Sequence, residues 1–420
     1  MFLLYTVPGA LLPLYSLRLQ ELGFSAMEMA CCCATQAVAS VVASLVAGQV
    51  ADRWFPAERC LAVCSLLAGL DLWLLAGLTT PAAVFAATLV FWLLAGPTTL
   101  LGMTICFTHL RRPDRDYGPT RMWGTVGWMV SGWLLGYWFC NPSWLCRCAG
   151  CLRPGLPRSE LADAFRLGGV LALVLAGYAL SLPHTPPRRS SGGASAPLEA
   201  LKLLRSWSFA TYCLCTLGVS VTLPFTTQGT PLLLQQLGVP RPWMGPTLTL
   251  AQATEVLSLG LLPLILRRWR VRGTMLLGLA AWTAALGILA VGRPAGLVIG
   301  SLGFNGLVIG GFIVAGQVYV NRQAHGGLRA SVQALLTCVN GLGLLAGNLL
   351  VGWLRYRAGG ELPQAFAVAA AINAGLLVVF LFGFRERSTL QSTRVTLPPG
   401  TKSSPSARIL LPRPQPAPSR

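Results

Sequence analysis

Charge is what this sequence has least of. Only 11% of its 420 residues are Asp, Glu, Lys or Arg, where a soluble globular domain carries about a quarter. Acids number 13 and histidines three, at 109, 184 and 325. A hydrolytic or metal-assisted active site needs a paired acid and base, a nucleophile with its histidine, or a ligand cluster near one interface. Here the few candidates are scattered, so an enzyme is not expected, and neither is a cofactor or a metal. A basic n-region and a small-residue cleavage site are also missing after Met1, so the first apolar run is not expected to be a signal peptide.

What fills the chain instead is apolar. Hydrophobic residues make up 54% of it and the mean hydropathy is +0.62. Stretches of about twenty apolar residues, each enough for a helix across a hydrocarbon core of about 30 Å, fall at Phe2–Leu19, Met27–Val50, Leu61–Leu78, Ala82–Phe107, Met122–Phe139 and Leu167–Leu182. A second set follows at Phe209–Leu234, Thr247–Leu266, Thr274–Ala290, Ala295–Val320, Ala330–Leu354 and Phe366–Phe384. The expected fold is an all-α membrane protein of about twelve transmembrane helices in two halves of six.

The halves are assigned to residues 1–183 and 207–385. Between them, 184–206 is rich in Pro, Ser and Gly with paired arginines and reads as a polar cytoplasmic linker. Residues 386–420 hold too few apolar side chains to pack and read as a disordered basic tail. The net charge of +19 invites a nucleic-acid partner, but topology accounts for it. With both termini cytoplasmic, about 23 of the 32 basic residues fall on the cytoplasmic side, as the positive-inside rule requires. The partners expected are the lipid bilayer and small solutes, with no nucleic acid, for a monomer in the inner (plasma) membrane.

Nine of the thirteen cysteines lie in or beside spans, where Cys behaves as a small hydrophobe. Cys140, Cys146, Cys148 and Cys151 cluster in the loop after the fifth span. Their spacing is irregular and no histidine is near, so disulfides or free thiols fit better than zinc.

Four stretches carry a sharper signal. "GQVADRW" places Gly48, Asp52 and Arg53 between the second and third spans, where the Gly permits close helix approach and the Asp and Arg can pair with neighbouring helices. "RMWGTVGW" puts Arg121, Thr125 and Trp128 on one helical face, with Gly124, Gly127, Gly132 and Gly136 free for close packing. An indole there offers a stacking surface, although Arg121 could merely snorkel to the membrane surface. "AQATEVL" sets Gln252 and Glu255 three residues apart inside the eighth span. A charge at mid-bilayer costs about 3 kcal/mol, so both should face the bundle interior. The fourth stretch is "LRASVQALLTCVNGLG", from Leu328 to Gly343.

The first stretch, with twelve spans split six and six, resembles the loop signature of the major facilitator superfamily. The four together, with "LPHTPP" at Leu182–Pro187 as a lesser echo, resemble the nucleoside:proton symporter family within it, from Phe2 to Arg385. That resemblance implies proton-coupled nucleoside import by alternating access and a substrate site near the midplane between the halves. It implies binding roles for Arg121, Thr125, Trp128, Gln252 and Glu255, and a conformational latch at Gly48, Asp52 and Arg53. Low dielectric disfavours charge, so Glu255 is expected to take a proton when the cavity faces out and to release it inward. A structural ion pair between Glu255 and Arg121 is the alternative.

The chain also departs from the family. Where relatives offer a Gln and an Asn on the seventh span, this sequence places Leu223 and Thr226, with Gln228 displaced by about half a turn. Where they carry a Tyr and an Asp on the tenth, it has Asn305 and Gly310. Thr226 and Asn305 join the expected substrate site. These changes leave room for another small polar solute, such as a sugar, or for drug export. Asp71, mid-way along the third span, is a second candidate for proton coupling, or else packing at a helix interface. His109 and His325 are expected at hydrated span ends. A transport-dead sensor of the same fold would be expected to lose its buried polar residues, and this chain keeps Arg121, Gln252 and Glu255.

Overall fold

In the computed structural model, residues 1–51, 56–110, 113–140, 159–186, 203–323 and 328–385 are described. Asp52, Arg53, His325, Cys146, Cys148, Cys151, residues 187–202 and the tail 386–420 lie outside them. Gly48 sits near the end of a helix, and only the backbone is described there.

The described chain is helical because a bilayer offers backbone amides no partner but the helix itself. In the first half, α1 runs Phe2–Glu21, α2 Ala26–Ala51, α3 Ala57–Gly77, α4 Pro81–His109, α5 Pro113–Cys140 and α6 Glu160–Ala179. In the second, α7 is Trp207–Gln236. The stretch Arg241–Val291 is continuous except at Arg270, whose φ of 55° lies in the left-handed region. It divides into α8, residues 241–269, and α9, residues 271–291. Then come α10, Ala295–Val320, α11, Leu328–Arg357, and α12, Leu362–Gly383.

Two features differ from the sequence reading. A loop was expected at the arginine run 267–272, but helical geometry continues through it and one residue makes the turn. A left-handed non-glycine costs about 1–2 kcal/mol, and the Arg270 carbonyl is held by the Thr274 hydroxyl at 2.6 Å. Several helices also outrun their apolar cores, as α5 and α7 do, because hydropathy marks the hydrocarbon-spanning part of a helix and not its ends.

The halves meet chiefly along two helix pairs, α2 with α11 and α5 with α8, with a smaller contact of α1 on α7. Small residues permit both contacts. A Cβ added to Gly136 would stand 2.6 Å from the Pro242 carbonyl oxygen, and Gly132 faces Gly245 backbone to backbone. The other glycines of the fifth helix, Gly124 and Gly127, face Tyr5 and Phe2 of α1 instead. Interhelical hydrogen bonds add to the packing. Tyr15 and Thr88 join α1 to α4 at 2.6 Å, and Asn373 of α12 donates to the Leu279 carbonyl and the Thr283 hydroxyl of α9 at 3.3 and 3.1 Å. Such bonds contribute about 0.6 kcal/mol each in a membrane.

One end of the interface between the halves is tied by charge. Glu21, at the last turn of α1, pairs with Arg18 at 2.8 Å and with Arg241 of α8 at 3.6 Å; Arg241 also reaches Glu160 of α6 at 3.5 Å. At the opposite end, residues 182–186 pack on the start of α3. His184 Nδ1 and the Thr185 amide bond the Glu58 carboxylate at 2.8 and 3.0 Å, and Thr185 meets the exposed His109 at 2.9 Å.

Candidate functional site

A cavity of about 240 Å³ lies between the two halves. Leu12 and Pro13 of α1 and Trp128 of α5 form its wall on the first half. The second half contributes Leu223, Thr226, Thr227 and Thr230 from α7, Leu248 and Gln252 from α8, Trp282 from α9, and Ser301, Asn305 and Ile309 from α10. Its lining is neutral, with two indoles and several hydroxyls and amides, which suits an uncharged ligand carrying an aromatic ring and polar groups.

Helix chemistry explains how these groups come to face it. In α10 the backbone widens into a π-type turn at Ile309–Val314, a feature that recurs at functional sites, and Ile309 stands at its start. One turn before, Gly306 lies against the backbone of Thr254 and Glu255, and Gly310 abuts the Ser258 hydroxyl. There is no room for a larger side chain at 310 as packed here, which accounts for Gly310 not entering the cavity.

Hydrogen bonding sorts the polar residues further. Gln228 is 3% exposed and donates its amide to Asn348 of α11, so it is turned away from the cavity, in line with the half-turn displacement noted from the sequence. Trp282 donates Nε1 to the Thr222 hydroxyl at 2.8 Å, which fixes its ring as a rigid wall. By contrast, Gln252 Oε1 and Thr230 Oγ1 are buried with no hydrogen-bond partner in the protein.

Of the residues singled out in the sequence, Trp128, Thr226, Gln252 and Asn305 line this cavity. Arg121, Thr125 and Glu255 do not. The Arg121 guanidinium lies over the Tyr5 ring, 4.2 Å from its centroid, and Glu255 stands on α8, which packs against the helix of Arg121. Thr125 is buried within α5, 5% exposed. The helical face that joined Arg121, Thr125 and Trp128 on paper is thus divided among a charged cluster, a packed turn and the cavity. Asp71 has one buried oxygen without a partner and sits on α3, away from the cavity lining. Sequence reasoning missed Tyr5, Thr230 and Trp282. Nothing in their local sequence distinguishes them, since each is one aromatic or hydroxyl in an apolar run and gains its role from helices distant in sequence.

Residues 1–389 match the family model described as "Nucleoside H+ symporter". The chain belongs to the nucleoside H+ symporter family. It is 29% identical to the putative nucleoside transporter YegT of Escherichia coli over 394 residues, covering 89% of this chain and 85% of that one. It is 26% identical to the xanthosine permease of the same bacterium, covering 91% and 94%. Among solved structures, the nucleoside transporter NupG superimposes with a TM-score of 0.77 at 22% identity, over 92% of this chain and 97% of that one. A bacterial homolog of the human lysosomal transporter Spinster gives 0.71 at 13% identity, over 91% and 94%. These likenesses establish the fold, an all-helical multi-pass membrane protein, and the family is one of transporters, not enzymes.

Proposed function

We propose that this chain imports nucleosides together with protons by alternating access, with the neutral cavity between the halves as the substrate site. The observation that carries the reading is the placement of Gln252 and Glu255. One turn of α8 sets Gln252, whose buried amide oxygen is unpaired, in the cavity wall and, three residues on, the Glu255 carboxyl on the helix that packs against α5, which carries Arg121. Membership of the nucleoside H+ symporter family supports a nucleoside as cargo, and does not favour a sugar or an exported drug.

In this reading the base stacks against Trp128, and Gln252, Thr226 and Asn305 offer hydrogen bonds. Arg121 and Glu255, with Thr125 behind them, form the coupled region next to the site. Proton exchange at Glu255 changes the charge facing Arg121, and with it the attraction between the halves. Moving one charge across the membrane supplies about 2.3 kcal/mol per 100 mV, about fiftyfold in concentration. Asp71 on α3 is a secondary proton site, and Gly48, Asp52 and Arg53 a latch. The halves, residues 1–183 and 207–385, rock about the linker 184–206, in a monomer with both termini in the cytoplasm. The positive-inside rule then puts the Glu21, Arg241 and Glu160 cluster outside, where it ties the halves together while the cavity faces in. Labelled uridine uptake tests the substrate class: adenosine and inosine in excess should each suppress it, and failure of both to compete would remove the nucleoside assignment.

A further inference from the structure

A threonine inside a helix normally spends its hydroxyl on the carbonyl three or four residues back. This chain follows that habit at Thr6, Thr35, Thr88, Thr98 and Thr211. On α7 itself, Thr222 donates to the Val219 carbonyl at 2.9 Å and Thr226 to the Leu223 carbonyl at 2.8 Å. Thr230 breaks the pattern. It is 2% exposed, yet its Oγ1 bonds neither a backbone carbonyl nor a neighbouring side chain, and it lines the central cavity one turn along from Thr226.

Two further observations bear on that hydroxyl. The next residue, Pro231, also lines the cavity and has no N–H to offer the Thr227 carbonyl, so the helix ladder is interrupted where Thr230 sits. Gln252, across the cavity on α8, also keeps a buried oxygen without a partner. A buried hydroxyl left unpaired costs stability, and a polar ligand in the cavity removes that cost.

We propose that Thr230 is a substrate-binding residue of the central cavity, its hydroxyl kept free to bond a polar edge of the base or a ribose hydroxyl of a nucleoside. This rests on the nucleoside reading above and deepens it. Unlike an amide, a hydroxyl both donates and accepts, so Thr230 accommodates either kind of polar edge. In this chain it supplies a contact where the seventh-helix Gln and Asn implied by the family resemblance are replaced by Leu223 and Thr226.

Thr230→Val keeps the shape and removes only the hydroxyl. In the full-length protein, the variant should raise the KM for labelled uridine about tenfold and lose the thermal shift that uridine gives the wild type. Its ligand-free melting temperature should be equal or higher, because an unpaired polar group has gone. Thr230→Ser should return KM to within about threefold of wild type. A Thr230→Val protein with wild-type KM overturns the proposal and leaves the nucleoside reading intact. A variant that melts lower without ligand, or fails to fold, shows that the hydroxyl is bonded within the protein, and equally overturns it. A wild type that takes up neither uridine nor adenosine overturns the nucleoside reading and this proposal with it.

Discussion

Gln228 and Thr230 stand two residues apart on α7 and are almost equally buried, at 3% and 2% exposure, yet Gln228 has a partner for its amide N–H, although its Oε1 has none, and Thr230 has no partner at all. Gln228 gives its amide to Asn348 on α11, joining two helices of the second half. Thr230 faces the cavity with its hydroxyl unpaired. Hydrophobicity and burial would class both as expensive polar residues in a membrane protein. The partner separates them: an amide N–H that donates to a neighbouring helix holds helices together, and a hydroxyl with no partner at a cavity wall awaits a ligand.

The largest expected effect is at Glu255, the ionisable group three residues on from the cavity-lining Gln252. Glu255→Gln keeps the shape and hydrogen-bonding capacity but cannot carry a proton in and out. It should abolish accumulation against a gradient, the fiftyfold per 100 mV above, while uridine exchange between preloaded vesicles and medium continues. Undiminished accumulation would take the coupling role away from Glu255.

Gln228→Leu should have a smaller effect of a different kind. Asn348 loses its donor, which costs about 1 kcal/mol and lowers the melting temperature by a few degrees, while KM for uridine stays within about twofold. A raised KM with unchanged melting would mean that Gln228 turns toward substrate, and the comparison with Thr230 would collapse.

An effect of similar size, on KM and not on melting, is expected at Tyr5, which touches Arg121 through its ring face. A cation–π contact of about 1 kcal/mol makes Tyr5→Leu worth about a fivefold rise in KM for uridine, whereas Tyr5→Phe, which keeps the ring, should behave as wild type. Equal behaviour of the two variants would show that the ring face does not position Arg121.

The fold was legible because a bilayer leaves the sequence little freedom: a crossing helix announces itself as an apolar run. The turn at Arg270 was not, since four arginines within six residues resemble a loop in composition while the backbone needs only one left-handed residue. In the candidate site, Trp128, Gln252, Thr226 and Asn305 were found from motif and resemblance, and the structure gathers them around one cavity. Arg121 and Glu255 were paired from their residue types and lie near each other, though beside the cavity and not within its walls. Trp282 could not be read, because its role comes from a hydrogen bond to Thr222, sixty residues away. Thr230 could not be read either, because an unpaired hydroxyl is a property of its surroundings. Asp71 stood out as a charge in an apolar run, but its helix packs on α4 and α6, and the structure does not bring it to Glu255.

The central claim is that the cavity carries nucleosides driven by protons. The direct test is uptake of labelled uridine by nucleoside-transport-deficient cells expressing the protein, at acid outer pH, with and without a protonophore. The account predicts accumulation that collapses when the protonophore is added. Uptake that persists unchanged with the protonophore, or no uptake from cells whose membranes contain the protein, would contradict it.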